Sequence, residues 1–175
     1  MRRQADLVRT TPERLHAFIE KMGVDADLRH IVDICARAAA EVAIVSDGYD
    51  YVIHRTLERM QVRCRVISGS LLPVESDRWR FETPHARASC HSKASTCKCA
   101  VASSAGAIVI GDGRSDFCVA ERAAFVFAKG RLARHCRERG IAHREIASLR
   151  EVLAPLADML HVTHSDTLAT TEMNL

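Results

Sequence analysis

The chain has 175 residues, 47% of them hydrophobic and 27% charged, and its formal net charge is +3. This composition is typical of one water-soluble globular domain, and its scattered Arg and Lys residues do not favour a nucleic-acid or membrane partner. No apolar run approaches the roughly 18 residues that cross a bilayer, and no apolar segment follows the first residues as in a signal peptide. Seven cysteines without such a signal fit reduced thiols, so we expect a cytoplasmic protein.

The first sixty or so residues predict three helices and one strand. Thr11, Pro12 and Glu13 form the pattern of an N-cap, a first helical residue and an acidic first turn, so a helix begins there. A run of four apolar residues predicts a short strand of a buried parallel sheet, and the polar turn Ser46-Asp47-Gly48 follows it. The predicted helices cover 11–22, 26–39 and 49–60, and the predicted strand covers 42–45.

The rest of the chain alternates strands and helices around a small hairpin. The hairpin arms are 71–74 and 79–81, and Pro73 would confine the first arm to a sheet edge. Residues 84–99 have no clear period and are expected to be irregular. Because alternating strands and helices form parallel sheets with crossover helices, we expect an α/β fold with a doubly wound, Rossmann-like parallel sheet and a β-hairpin insertion. The predicted strands are 62–67, 107–110 and 125–127, and the predicted helices are 116–123, 132–139 (ending at Gly140) and 148–160.

Two polar turns follow predicted strands at their carboxyl ends, where open α/β sheets bind ligands. One contains Asp112 and Asp116, and the other contains Ser46. Mg²⁺ often takes one or two carboxylates together with a phosphate, so Asp112 is a candidate ligand supported by Asp116. Ser46 suits a phosphate oxygen at a helix N-terminus, and Lys98, just ahead of the Asp112 strand, would offset charge that builds up in transfer. Turn and N-cap roles for these residues are the structural alternatives.

In this order and spacing, the motifs resemble those of the haloacid dehalogenase (HAD) superfamily of phosphatases. Ile-Val-Ser-Asp-Gly (44–48) matches the family's second motif, Lys98 the third, and Gly-Asp-Gly-Arg-Ser-Asp (111–116) the fourth; Val-Phe-Ala-Lys-Gly (126–130) is also shared. The match is closest to the phosphoserine-phosphatase-like and methionine-salvage phosphatase-like branch.

The resemblance implies a Mg²⁺-dependent phosphatase that hydrolyses a small-molecule phosphomonoester through an aspartyl-phosphate. It implies Ser46 and Lys98 as catalytic residues, and it implies that these two bind the substrate together with Asp47 and Gly48. It also implies the metal ligands, Asp112 and Asp116.

The family's first motif, an apolar strand that ends in Asp-x-Asp and carries the nucleophile, is not found before Ser46. Asp25-Ala26-Asp27 has the spacing but no apolar strand in front of it, and acidic residues are expected at a helix start. The resemblance therefore implies a chain that begins inside the cap segment and lacks the nucleophile strand, which a missing segment or a partner would supply. On this interpretation, 1–23 are a remnant of the helical cap, 24–160 are the core, and 161–175 are a disordered tail.

Two alternatives to an active phosphatase stay open. The first is a truncated, catalytically inactive relative that binds phosphate or a partner protein without turnover. The second is a zinc module, although the spacing of its cysteines lacks the paired Cys-x₂₋₄-Cys knuckles of structural zinc sites. Its candidate ligands are Cys90, His91, Cys97 and Cys99.

Overall fold

The computed structural model describes residues 7–85, 98–101 and 106–162, which divide into two compact units. Of these residues, 7–24 and 43–145 belong to the first unit, and 25–42 and 146–162 belong to the second. None of the described helices has the length and apolar character that crossing a bilayer requires. The domain boundaries expected from the sequence stay predictions.

Helices and strands alternate along most of the described chain. The helices are α1 (Pro12–Ile19), α2 (Asp27–Arg37), α3 (Asp50–Met60), α4 (Lys98–Val101), α5 (Phe117–Ala120), α6 (Gly130–Arg139) and α7 (Arg150–Met159). The strands are β1 (Ala43–Tyr49), β2 (Arg65–Pro73), β3 (Trp79–Glu82), β4 (Ile108–Gly111), β5 (Phe125–Ala128) and β6 (His143–Glu145). A 3₁₀ turn, Arg114–Asp116, lies between β4 and α5.

The first three strands form a mixed sheet in the order β1-β2-β3. β1 and β2 run parallel, and α3 connects them. Their register is regular up to Val45, which lies opposite Ile67, and is interrupted before Tyr49 pairs with Gly69. β2 and β3 form an antiparallel hairpin. The interruption coincides with the turn that the sequence singles out at Ser46.

The last three strands form a separate parallel sheet in the order β4-β5-β6. Three successive residues of β5, Val126–Ala128, are fully buried, as expected for a strand covered on both faces. Leu132 and Cys136 lie one helical turn apart on α6 and are also fully buried. Gly140 ends α6 in the left-handed conformation with φ +64°, as the sequence predicts.

The N-terminal segment of the first unit is held by polar contacts. Nε1 of Trp79 in β3 donates a 2.8 Å hydrogen bond to the carbonyl oxygen of Thr10. Arg59 of α3 donates three hydrogen bonds, of 2.6 to 2.7 Å, to carbonyl oxygens at the C-terminal end of α1. These carbonyls have no partners within a helix, so a cation is favourable there.

In the second unit, α2 and α7 pack together around an ion pair. Asp27 at the start of α2 is buried, and both of its oxygens lie 3.0 Å from Nε of Arg150 on α7. The hydrogen bond from Arg150 lowers the pKa of Asp27 below its usual value. Asp25 accepts a 3.1 Å hydrogen bond from the backbone N–H of Asp27. The segment 25–27 is therefore a helix start with a structural ion pair.

The α/β class with parallel strands and a β-hairpin is confirmed, and several local predictions are wrong. The predicted strand 62–67 and the first hairpin arm belong to one strand, β2, which is central in its sheet. Pro73 is tolerated because the pairing of β2 with β1 ends at Gly69, so Pro73 needs to pair only with β3. The predicted helix 116–123 is a 3₁₀ turn followed by the short α5, and β6 is a strand that the pattern does not predict.

Candidate active site

A buried ion pair links Lys98 to Asp116. Nζ of Lys98 lies 2.5 Å from Oδ1 of Asp116, and the two side chains are 12% and 8% exposed. The other carboxylate oxygen, Oδ2, accepts hydrogen bonds from the backbone N–H groups of Asp112 (3.1 Å) and Gly113 (2.9 Å). Both oxygens of Asp116 are thus engaged inside the protein, Oδ1 by the Lys98 ammonium and Oδ2 by the backbone that follows β4.

The 3₁₀ turn after β4 produces this arrangement. The N–H of Asp116 donates to the carbonyl oxygen of Gly113 (3.2 Å), which folds the chain back directly behind the strand. Gly111 gives the carboxylate its space, because a Cβ built at Gly111 would lie only 2.7 Å from Oδ2 of Asp116. Glycine is required at this position by close packing against Asp116.

Asp112 follows β4 immediately and is exposed. Its backbone is anchored, since its carbonyl oxygen accepts from the N–H of Leu132 (3.2 Å) and the N–H of Lys129 donates to Gly111 (2.9 Å). Within the described part of the chain, no hydrogen bond or ion pair involves the Asp112 carboxylate. The Asp112 carboxylate is therefore available on a fixed backbone, whereas the Asp116 carboxylate is already engaged. This arrangement fits Mg²⁺ with Asp112 as the direct ligand and Asp116 as its support.

Ser46, Asp47 and Gly48 lie in the irregular part of β1 and are half-buried. Oγ of Ser46 accepts a 3.0 Å hydrogen bond from the N–H of Gly48. The N-cap of α3 is Tyr49, so the alternative of Ser46 as a helix N-cap is wrong. The Ser46 hydroxyl instead stabilises the local turn within the strand.

The structure brings three of the predicted site residues into direct contact and leaves the others nearby in the fold. Lys98, Asp112 and Asp116 share the network described above. α4, which carries Lys98, contacts both β1 and α5. Among the residues that the structure describes, no hydrogen bond or ion pair joins Ser46 to that network. Ser46 is therefore on a strand next to the network but outside its direct bonds.

The chain is similar in sequence to one curated phosphatase. No protein-family model matches the chain. A 2-hydroxy-3-keto-5-methylthiopentenyl-1-phosphate phosphatase from Geobacillus kaustophilus (strain HTA426) is 28% identical over 141 residues, which is 77% of this chain and 63% of that protein. The chain thus spans less than two thirds of the length of this curated relative.

Solved structures of phosphatases resemble the chain in three dimensions. A substrate-bound phosphoserine phosphatase matches with a TM-score of 0.61 at 16% identity, covering 87% of this chain and 73% of that one. The fold is that of the HAD phosphatases. A phosphoserine phosphatase from T. onnurineus (TM-score 0.57, 13% identity, 91% of this chain and 70% of that one) and a cytosolic 5′-nucleotidase IIIB bound to cytidine (0.54, 13%, 91% and 62%) also match. The predicted resemblance to the phosphoserine-phosphatase-like branch is confirmed.

The remaining candidates of the sequence fall outside the network of Lys98, Asp112 and Asp116. Cys90, His91 and Cys97 lie outside the described residues, and Cys99 is a buried, reduced cysteine. Among the residues that the structure does describe, no three His, Cys, Asp or Glu side chains cluster as a metal site would require. Asp27 is committed to its ion pair with Arg150.

Ser68 of β2 is a residue that sequence reasoning misses. Its side chain is buried, and Oγ has no hydrogen-bond partner in the described part of the chain. It lies between Ile67 and Gly69, opposite the irregular stretch of β1 that contains Ser46. Ser68 follows two apolar residues of β2, but this position alone does not distinguish a site residue from a structural serine.

Proposed function

We propose that this chain forms the larger part of a Mg²⁺-dependent phosphatase that hydrolyses a small-molecule phosphomonoester. The observation that carries the proposal is the buried Lys98–Asp116 pair beside the exposed Asp112 carboxylate at the end of β4. The fold shared with phosphoserine phosphatases and the relative from Geobacillus kaustophilus support the same reaction class. The five described cysteines are reduced, which supports the cytoplasmic location that we also propose.

Each residue of the network has a role in this proposal. A bound Mg²⁺ would polarise the phosphoryl oxygens and offset their charge. Asp112 would bind the ion through its carboxylate, while Asp116 fixes the backbone of Asp112 by accepting a hydrogen bond from its N–H group. The Lys98 ammonium, which Asp116 holds in place, would balance negative charge on the phosphoryl group.

The β1 turn would complete the phosphate site. The Ser46 hydroxyl can donate to a phosphate oxygen while its Oγ accepts from Gly48, because a hydroxyl is both donor and acceptor. Asp47 and Gly48 would then lie beside the bound substrate. The contact between β1 and the helix that carries Lys98 supports a common site for Ser46 and Lys98.

We further propose that the nucleophilic aspartate comes from a strand outside these 175 residues. Among the described strands, β1 pairs with β2 alone and β4 with β5 alone, so each has an open edge. No residue of β1 is fully buried, and Ile110 of β4 is 36% exposed. Open edges are a liability that proteins usually cover, which supports a further strand, from the same polypeptide or from a partner, at these edges.

Binding of a metal ion tests the first half of the proposal without requiring turnover. Mn²⁺ added to the isotope-labelled 175-residue chain should broaden the NMR signals of residues 111–116 first. Asp112→Asn should abolish this effect, whereas Asp158→Asn, which removes an exposed carboxylate of α7, should not change it. Equal broadening in both variants would exclude Asp112 as the ligand.

Measurement of turnover tests the second half of the proposal, which is that the protein hydrolyses a phosphate ester with a nucleophile from outside these 175 residues. The 175-residue chain alone should fold and bind the metal but should not hydrolyse a generic phosphate ester. The native protein, isolated from its own cells and sized by intact mass, should hydrolyse it, and Asp112→Asn should lower kcat/KM by about 100-fold or more. A native protein of 19.4 kDa without turnover would instead establish the inactive alternative. Turnover by the 175-residue chain itself would show that its nucleophile lies within it.

A further inference from the structure

A positively charged groove opens beside the candidate active site and shares none of its side chains. It has a volume of about 410 Å³ and is lined by Arg114, Phe117, Arg131, Arg134, His135 and Glu138. The 3₁₀ turn contributes Arg114, α5 contributes Phe117, and α6 contributes the other four. Since Arg114 follows Asp112 by two residues, the groove borders the phosphatase site.

The three arginines of the groove form no ion pairs with the described residues, whereas several described arginines elsewhere do. Arg114, Arg131 and Arg134 are exposed, and the described residues provide no ion pair or hydrogen bond to their guanidinium groups. The Glu138 carboxylate lines the same groove but lies too far away for an ion pair with them. Elsewhere, arginines do pair with carboxylates: Arg55 with Glu58, Arg78 with Glu75, Arg80 with Glu82, Arg137 with Glu145, and Arg150 with Asp27.

The wall of the groove is rigid. Phe117 and His135 stack with ring centroids 3.8 Å apart and ring planes 5° apart. Nε2 of His135 lies 3.1 Å from a carboxylate oxygen of Glu121, and Phe117 packs against the hydrophobic core that includes Leu132. The aromatic wall is therefore fixed, and only the guanidinium groups need to reorient when an anion binds.

We propose that this groove binds a small polyanion with a di- or triphosphate chain, either inorganic or carried by a nucleoside. Three guanidinium groups against one carboxylate give the groove an excess of two positive charges, which a single monoanion does not neutralise. Guanidinium groups bind phosphate oxygens through paired, charge-assisted hydrogen bonds, and the volume is that of a small-molecule site. The aromatic wall would add stacking for a nucleoside, whereas the phosphate chain is common to both ligand types.

Calorimetric titration of the 175-residue chain with tripolyphosphate, in EDTA so that no metal occupies Asp112, tests the proposal. Arg131→Gln/Arg134→Gln should weaken binding at least about tenfold, since each hydrogen bond to a charged group contributes substantially. The matched control is Arg137→Gln/Arg139→Gln, which removes the same charge from the same helix outside the groove; we expect less than about a twofold change because its exposed ion pair contributes little. All four positions are exposed, and a thermal melt checks that both variants fold.

Parallel titrations with ATP and pyrophosphate identify the ligand type. Tighter binding of ATP than of tripolyphosphate supports a nucleoside polyphosphate, and equal binding supports the phosphate chain alone. Equal weakening in both double variants, no binding of any of the three compounds at millimolar concentration, or binding of a single-stranded oligonucleotide alone would overturn the proposal. Asp112→Asn should abolish the Mn²⁺ effect but should not weaken polyphosphate binding in EDTA, because it removes a negative charge and none of the groove side chains. The two proposals therefore have separate readouts.

Discussion

Replacing Gly111 by alanine tests whether the position of Asp116 depends on close packing at the end of β4. The added methyl group would lie 2.7 Å from Oδ2 and 2.8 Å from Cγ of Asp116, and 3.0 Å from Cδ2 of Leu132. Neither neighbour can move freely. Three hydrogen bonds or ion-pair contacts hold Asp116, and Leu132 is fully buried in the core. We therefore expect either the carboxylate or the strand to be displaced.

The size of the effect follows from this geometry. Forcing one extra carbon into a packed interior costs roughly 1 to 3 kcal/mol, and more when a hydrogen-bonded charge has to move. For a domain of this size, each kcal/mol lowers Tm by about 2 to 4 °C, so Gly111→Ala should lower Tm by roughly 2 to 12 °C. Displacement of Asp116 should also loosen Lys98 and Asp112, because the carboxylate bonds to both residues.

Gly113→Ala is the matched control on the same loop. A Cβ at Gly113 would have its nearest contact 3.8 Å from Oδ2 of Asp116, and the backbone there is extended with φ −115°. We expect Gly113→Ala to change the stability by about 1 kcal/mol or less. Urea unfolding followed by circular dichroism measures both variants, and Mn²⁺ broadening of the 111–116 signals reports on the site. Equal destabilisation by the two substitutions, or unperturbed metal binding in Gly111→Ala, would refute the packing argument.

Three further predictions use the same unfolding assay. Lys98→Met should destabilise the protein by about 3 kcal/mol because it leaves Asp116 buried without its cation, and the double variant Lys98→Met/Asp116→Leu should recover part of that loss; additive losses would contradict the coupling. Ser68→Ala should leave the free energy of unfolding unchanged or raise it, since it removes a buried hydroxyl that has no partner among the described residues. A decrease above about 1 kcal/mol would instead show that the Ser68 hydroxyl has a hydrogen-bond partner. Arg150 lowers the folded-state pKa of Asp27, so this pair stabilises the protein above about pH 4 and loses its effect as the pH falls through the folded pKa. Asp27→Asn should therefore be less stable than the wild type at pH 7 and similar to it near pH 2, and an equal deficit at both pH values would count against this linkage.

Elements with local signals were predictable from the sequence. Thr11 and Pro12 correctly place the start of α1, and Gly140 correctly ends α6, because caps depend on one or two residues. β6 carries no such signal, since it has three residues of which two are exposed, and it is a strand only through its pairing with β5. The edge position predicted from Pro73 holds locally, although β2 is the central strand of its sheet. A proline excludes a residue from one hydrogen-bonding position, and β2 avoids the conflict by changing partners before that residue.

The candidate site shows the same division between pattern and geometry. The spacing of Asp112 and Asp116 predicts two carboxylates near the end of a strand, but it does not show which one points inward. The 3₁₀ turn decides that question, because it directs Asp116 back to the N–H groups behind β4 and leaves Asp112 exposed. The pairing of Lys98 with Asp116 spans 18 residues, so it depends on tertiary structure. The sequence pointed to Lys98 through its place ahead of the Asp112 strand and through the family resemblance, but not to its partner.

The open edges of β1 and β4 connect the question of stability with the question of catalysis. α4 contacts β1, and its Lys98 binds the carboxylate that follows β4, so one short helix links the two sheets of the first unit. A parallel strand that paired with either edge would satisfy backbone groups and would cover apolar residues such as Ile110. If that strand also ended in a carboxylate near Lys98 and Asp112, it would supply the nucleophile that the proposed reaction requires. The same added strand should therefore both raise Tm and introduce turnover. A strand that raised Tm without introducing turnover would show that it covers an open edge but does not carry the nucleophile, and turnover without a rise in Tm would show the reverse.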